Sequence, residues 1–196
     1  VITVLELEEK ILREGEVFPG DILKVGGFLN QQIDTDFMVK MGQEGARLFK
    51  DCGITKVLTV EASGIAIAFA VAAALHVPMV FAKKYGALNV SGDIYKASVY
   101  SYTHKKTFDI VVSRKYISEN DVVLICDDFL AKGNALNGLI HIVEQSGAKL
   151  SGAVIAIEKG FQGGGDLLRE EGVRVESLAI IDSMEDGTIQ FRHSST

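Results

Sequence analysis

Two adjacent carboxylates, Asp127 and Asp128, stand directly after the unbroken apolar run Val122–Cys126. A short turn with Gly133 follows, and then a helical pattern with Leu136, Leu139, Ile140 and Val143 on one face. A short apolar run bounded by turn residues suits a strand buried on both sides, as in a parallel sheet. Ligands of open α/β sheets sit outside the carboxyl ends of such strands, which puts both acids at the rim of a crevice. The amides of Lys132, Gly133, Asn134 and Ala135 would open the next helix and face an anion. Carboxylates for a polyol beside amides for a phosphate point to a sugar phosphate. A capping pair at a surface turn is the competing reading of the two acids.

Other candidates occupy similar places. Glu61-Ala62-Ser63-Gly64 lies between an expected strand, Lys56–Val60, and an expected helix, Gly64–His76, where a plain N-cap at Ser63 explains the local pattern nearly as well. Lys83 and Lys84 come just after a second strand, Pro78–Ala82, and are either free to neutralise an anion or simply solvated. Lys159 follows the buried strand Ala153–Ile157, where a lysine fits poorly without a partner. The four histidines fall in separate contexts, His76 and His141 in helices, His104 in a hairpin and His193 in a frayed tail.

The elements that must position these groups follow from hydrophobic spacing. Val4, Leu7, Ile11 and Leu12 predict a short amphipathic helix, and Ile22–Val25 a short strand. Asp34 predicts the N-cap of a helix carrying Phe37, Met41 and Leu48. The strand–helix–strand order from Lys56 to Ala82 predicts a parallel crossover. Ser98–Tyr102 and Thr107–Val112 alternate around Thr103-His104-Lys105-Lys106, which predicts an antiparallel hairpin projecting from the sheet. The pattern resumes with the Val122 strand, a helix to Ser146 and the Ala153 strand. Gly163–Gly165 then predicts a loop, Leu167–Glu171 a short helix and Val173–Ile180 a last strand. The whole chain, 1–196, is expected to form one α/β domain, a doubly wound and mainly parallel sheet with a small N-terminal hood.

Composition agrees with this class. The chain has 196 residues, 47% apolar and 23% charged, enough for one domain with an ample core. Its formal charge of −6 argues against holding nucleic acid on a general basic surface. The apolar stretch Ile65–Leu75 is shorter than the ~20 residues needed to span a bilayer and is expected to pack deep in the fold. Glu6, Glu8 and Glu9 occupy the place where a secretory leader would need positive and then apolar residues, so a cytoplasmic protein without a membrane partner is expected. Cys52 and Cys126 are then expected to be reduced thiols. The sequence offers no metal-ligand cluster.

The segment DDFLAKGNA resembles the ribose-phosphate signature of the type I phosphoribosyltransferases, and its wording is most similar to their bacterial xanthine branch. ILKVGGFLN at Ile22–Asn30, VEASGIA at Val60–Ala66, ASVYSYT at Ala97–Thr103 and IEKGFQ at Ile157–Gln162 fit the same family, and the FLN, EASGI and EKGF wording narrows the resemblance to that branch. The resemblance runs from near Gly15 to about Ser183. It implies transfer of a phosphoribosyl group from phosphoribosyl pyrophosphate to xanthine, with magnesium, in a homodimer. By the same resemblance Asp127 and Asp128 hold the ribose, Ala131–Ala135 cradle the 5-phosphate, and Glu61–Gly64 with Lys83 meet pyrophosphate. Leu23, Asn30 and Lys159 take the base. Ser101-Tyr102 belong to a loop that closes over the reaction, and Phe129 or Phe161 could stack on the purine.

The chain also departs from the wider family. Lys132 and Ala135 replace threonines, so two hydroxyl donors are missing from the phosphate loop. Ala131 replaces an aspartate that moves a proton in several purine relatives, so no general base is named. Guanine or hypoxanthine would also offer Lys159 a 6-oxo group. A phosphoribosyl pyrophosphate-sensing regulator on the same fold is a further alternative, weakened by the acidic balance of the residues before the first core strand.

Overall fold

The computed structural model describes residues 4–84, 92–102 and 105–193. Thr103 and His104, at the tip of the expected hairpin, lie outside the described residues. The chain opens with α1 (Val4–Glu14), the strand pair β1 (Glu16–Phe18) and β2 (Ile22–Lys24), and a π-helical turn, Gly26–Asn30. These precede α2 (Thr35–Phe49), β3 (Lys56–Val60), α3 (Ile65–Leu75) and β4 (Met79–Lys84). The hairpin strands are β5 (Ile94–Ser101) and β6 (Lys106–Ser113). Then come β7 (Val122–Leu130), α4 (Asn134–Ser146) and β8 (Lys149–Lys159). The described chain closes with α5 (Gly164–Glu170), β9 (Val175–Ser183) and β10 (Gln190–Phe191).

Eight strands form one sheet in the order β10-β9-β8-β7-β3-β4-β6-β5. The central five, β9 to β4, are parallel, and β10, β6 and β5 add antiparallel edges. The hairpin thus widens the sheet rather than standing off it. Alternation along the strands divides the core between the two faces. Leu124 and Cys126 of β7 and Val154 and Ala156 of β8 pack with α1, α2 and α3. Val123 and Ile125, with Ala153 and Ile155, pack with α4 and the hairpin. Helices on both faces are what a continuous apolar run such as Val122–Cys126 in β7 requires.

Most elements form where the spacing predicts them, with instructive differences. Asp34 caps α2, its carboxylate accepting from Phe37 N at 3.1 Å. In α1, Leu7 and Ile11 are fully buried, whereas Leu12, a residue further round the helix, is 57% exposed. β7 does not stop at Cys126. It continues through both acids to Leu130, because β8 pairs with it along that length, Asp127 opposite Ile155 and Leu130 opposite Glu158. The last strand is β10, not the Val173–Ile180 segment. Gly164 and Gly165 begin α5 rather than lying in a loop. His193 is not a free tail residue, since its ring meets the Glu8 carboxylate at 2.9 Å. Helix α3, apolar all round, is not wholly enclosed: Phe69 is 65% exposed. Cys52 and Cys126 are both free thiols. No described helix is long and apolar enough to cross a membrane.

Candidate active site

The turn after β7 carries the phosphate-loop candidates. Gly133 adopts φ +87°, a left-handed conformation that glycine enters without a side-chain penalty, and the chain then turns directly into α4 at Asn134. A cavity of about 500 Å³ opens here, lined by Ala131–Ala135 on one side and Lys159 on another. Gly20, Asp21 and Ile22 of the hood and Tyr100 and Tyr102 of the hairpin complete its walls. Two contacts tie the hairpin to the loop. Asn134 Nδ2 donates to Tyr100 O at 2.9 Å, and Lys132 Nζ lies 4.2 Å from the centre of the Tyr102 ring.

Lys159 stands where β8 ends. Burial lowers its pKa from the ordinary lysine value, with Asp21 pulling the other way. Its ammonium donates to Asp21 O at 2.7 Å and lies 5.6 Å from the centre of the Phe129 ring. Phe129 also lines the cavity, while Phe161 is 37% exposed outside it. A cation between an aromatic ring and a carbonyl, facing an open cavity, is equipped to donate to an oxo group.

The two acids differ in their surroundings although both are buried, each 6% exposed. Asp128 has both oxygens engaged: Ser63 Oγ donates to Oδ1 and Asn30 Nδ2 donates to Oδ2, each at 3.1 Å. Asp127 Oδ1 accepts Asp128 N at 2.9 Å. Burial, and then the charge of Asp128, push the Asp127 carboxyl well above the ordinary carboxylate range. A Cβ at Gly64 would come within 2.6 Å of Asp127 Oδ1 and collide with Thr59 Oγ1, so only glycine lets the Glu61–Gly64 loop settle here. The Glu61–Ala62 peptide is cis. The Glu61 carboxylate accepts Lys84 N at 2.7 Å, joining this loop to the end of β4.

The structure thus unites Ala131–Ala135 with Lys159 in one cavity, and Asn30, Ser63 and Asp128 in one hydrogen-bonded group. Lys83 lies apart. It lines a separate cavity with Arg114 and Tyr116, because alternation along β4 turns Lys83 and Lys84 to opposite sides. Leu23 is 6% exposed in the core, since β2 alternates and presents Ile22 to the cavity instead. Among the described residues no cluster of three or more His, Cys, Asp or Glu side chains could hold a metal ion.

Sequence reasoning did not find the backbone acceptor at Asp21, nor the fully buried Glu158 beside Lys159. Arg169 grips Glu158 through two hydrogen bonds, at 3.0 and 2.7 Å. A carboxylate set into the apolar run of β8 was the available signal, because buried charges need paired partners.

Residues 44–193 match the phosphoribosyl transferase domain family. The chain is 56% identical over 186 residues to a xanthine phosphoribosyltransferase of Heliobacterium modesticaldum, covering 95% of this chain and 98% of that protein. It is 54% identical over 190 residues to the xanthine phosphoribosyltransferase of Bifidobacterium adolescentis, again covering 95% and 98%. Among solved structures, an APRTase from Giardia lamblia complexed with 9-deazaadenine aligns with TM-score 0.74 and 26% identity, over 92% of this chain and 98% of that one. With its parallel sheet, its acid pair at the end of β7 and its glycine-hinged loop, the chain belongs to the phosphoribosyltransferase family, in the xanthine phosphoribosyltransferase branch.

Proposed function

We propose that the chain transfers the 5-phosphoribosyl group of phosphoribosyl pyrophosphate to xanthine, giving xanthosine 5′-monophosphate and pyrophosphate, a step of purine salvage. One observation carries the division of labour: Ala131–Ala135 and Lys159 line the same cavity, so a phosphate site and an oxo-base site lie within reach of one nucleotide. The relatives of matching name and near-complete overlap support the choice of base.

In this assignment the amides of Lys132–Ala135 hold the 5-phosphate, and Asp127 and Asp128 hold the ribose. The C1–O bond to pyrophosphate loosens before the base attacks, and positive charge builds on the ring. Asp128, oriented by Ser63 and Asn30, stabilises that charge in a site sheltered from water. Lys159 donates to an oxo group of the base, with Asn30 on the other side. Xanthine reacts as its anion, so Ala131 need not accept a proton. Tyr100 and Tyr102 cover the reaction and exclude water, which would otherwise capture the ribosyl cation.

Magnesium fits these residues as an ion brought in by the substrate. It keeps several waters and needs only one or two carboxylates beside substrate phosphates, and Asp128 with the Glu61–Gly64 loop would meet it. When bound, the ion neutralises the oxygens of the departing pyrophosphate.

A homodimer in the cytoplasm completes the proposal. The outer face of α2 and α3 forms an apolar groove of about 690 Å³, with Ile33, Val39 and Phe69 exposed along it. It continues to Ala62 and Ser63, so a second copy seated there would border the pyrophosphate loop.

The test is pyrophosphate release from phosphoribosyl pyrophosphate and magnesium with xanthine, guanine, hypoxanthine and adenine in turn. Preference for xanthine is expected. Preference for guanine or hypoxanthine would move the substrate assignment, and an absence of release with all four bases would favour a sensor.

A further inference from the structure

None of Gly163, Gly164 and Gly165 lines the cavity, yet the middle residue of this triplet touches the phosphate loop. Gly164 N donates to Ala131 O at 3.0 Å. A Cβ on Gly164 would stand 2.7 Å from Gly133 N, and it would also collide with Ala131 O and the Lys132 carbonyl carbon. The backbones of α5 and the loop are therefore in direct contact.

The next glycine faces the other way. A Cβ on Gly165 would overlap the carboxylate of Glu158. That carboxylate is fully buried, and it accepts two hydrogen bonds from Arg169 of α5 and one from Ser177 of β9. Arg169 further donates to Val175 O and Asp166 Oδ1, each at 3.1 Å. Helix α5 is thus fixed to β8 and β9 by an ion pair between the fully buried Glu158 and the partly buried Arg169, and its first turn is pressed against the phosphate loop.

We infer that Gly164 is a positioning residue for the 5-phosphate loop, with the Glu158–Arg169 pair as its anchor. This deepens the assignment of Lys132–Ala135 to the 5-phosphate and rests on it. A loop that grips phosphate through amides must hold them converged before the ligand arrives. Neither Lys132 nor Ala135 has a hydroxyl to brace the loop from within. The brace comes from behind, through the Gly164–Ala131 hydrogen bond and a contact too close for any side chain.

Gly163→Ala and Gly164→Ala separate this role from a general structural one. Gly163 adopts φ +83° with open space where a Cβ would go, so alanine there is strained but does not reach the loop. Both variants lower Tm. Only Gly164→Ala raises the KM for phosphoribosyl pyrophosphate and the Kd for ribose 5-phosphate, by about tenfold or more, with the KM for xanthine within about threefold of wild type. Equal effects of the two variants on these constants, or an unchanged Kd for Gly164→Ala, would overturn the inference. Should Gly164→Ala fail to fold, amide exchange in the wild-type protein decides. Ribose 5-phosphate slows exchange of the Gly164 amide, and no change would refute the coupling. Gly133→Ala tells the two levels apart. An unchanged ribose 5-phosphate Kd there removes the phosphate-loop assignment itself, whereas a raised one beside an unaffected Gly164→Ala removes only the brace.

Discussion

Asn30 Nδ2 donates to Asp128 Oδ2 at 3.1 Å, joining residues 98 positions apart. The hood is thereby fastened to Asp128, and a residue assigned to the base also orients the group assigned to the sugar. A hydrogen bond to a charged group contributes ~1.5–3 kcal/mol.

Asn30→Ala is therefore expected to weaken both substrates. The KM for phosphoribosyl pyrophosphate should rise about tenfold or more along with that for xanthine. Titration calorimetry with phosphoribosyl pyrophosphate alone checks this, since a residue that only reads the base would leave that affinity unchanged.

The acid pair should respond in opposite ways to amide substitution. Asp127 has its pKa raised above the ordinary 3.8 by burial first and by Asp128 second. Its stabilising contribution is complete below the unfolded-state pKa and is lost as pH rises toward the folded-state value. Asp127→Asn, always neutral, should match wild-type Tm near about pH 4 and exceed it near about pH 8. Asp128→Asn should cut kcat about a hundredfold with little change in Tm. Equal losses of turnover and stability in Asp128→Asn would mark it as a capping residue. Thermal unfolding across pH and steady-state rates supply both readouts.

Lys159→Met removes a cation whose pKa is lowered by burial and whose partner is a backbone carbonyl. An apolar chain of similar length should leave stability unchanged or higher. The unpaired oxo group of the bound base would then cost ~1–3 kcal/mol, about five- to 150-fold in kcat/KM for xanthine. Rates with phosphoribosyl pyrophosphate held saturating measure it, and an unaffected xanthine KM would clear Lys159 of the base site.

Phe69→Glu places a charge on the exposed apolar face of α3. The expected outcome is a monomer of unchanged circular dichroism spectrum and reduced activity, read by sedimentation velocity. A wild-type protein that sediments as a monomer would remove the dimer proposal.

The amino-acid sequence by itself determined the parallel core, the acid pair and the glycine turn after it. Local pattern is sufficient for these: an apolar run long enough for a strand, a residue free to take φ +87° and a helical period beyond it. It could not set where β7 ends, because the acids belong to the strand only through their pairing with β8. Nor could it distinguish Asp127 from Asp128. Their difference comes from Ser63, Asn30 and Gly64, which reach the pair from elsewhere in the chain. The same holds for Lys83, Leu23 and Gly164: strand alternation and close backbone contact, properties of the assembled sheet and helices, decide which of them meets the site.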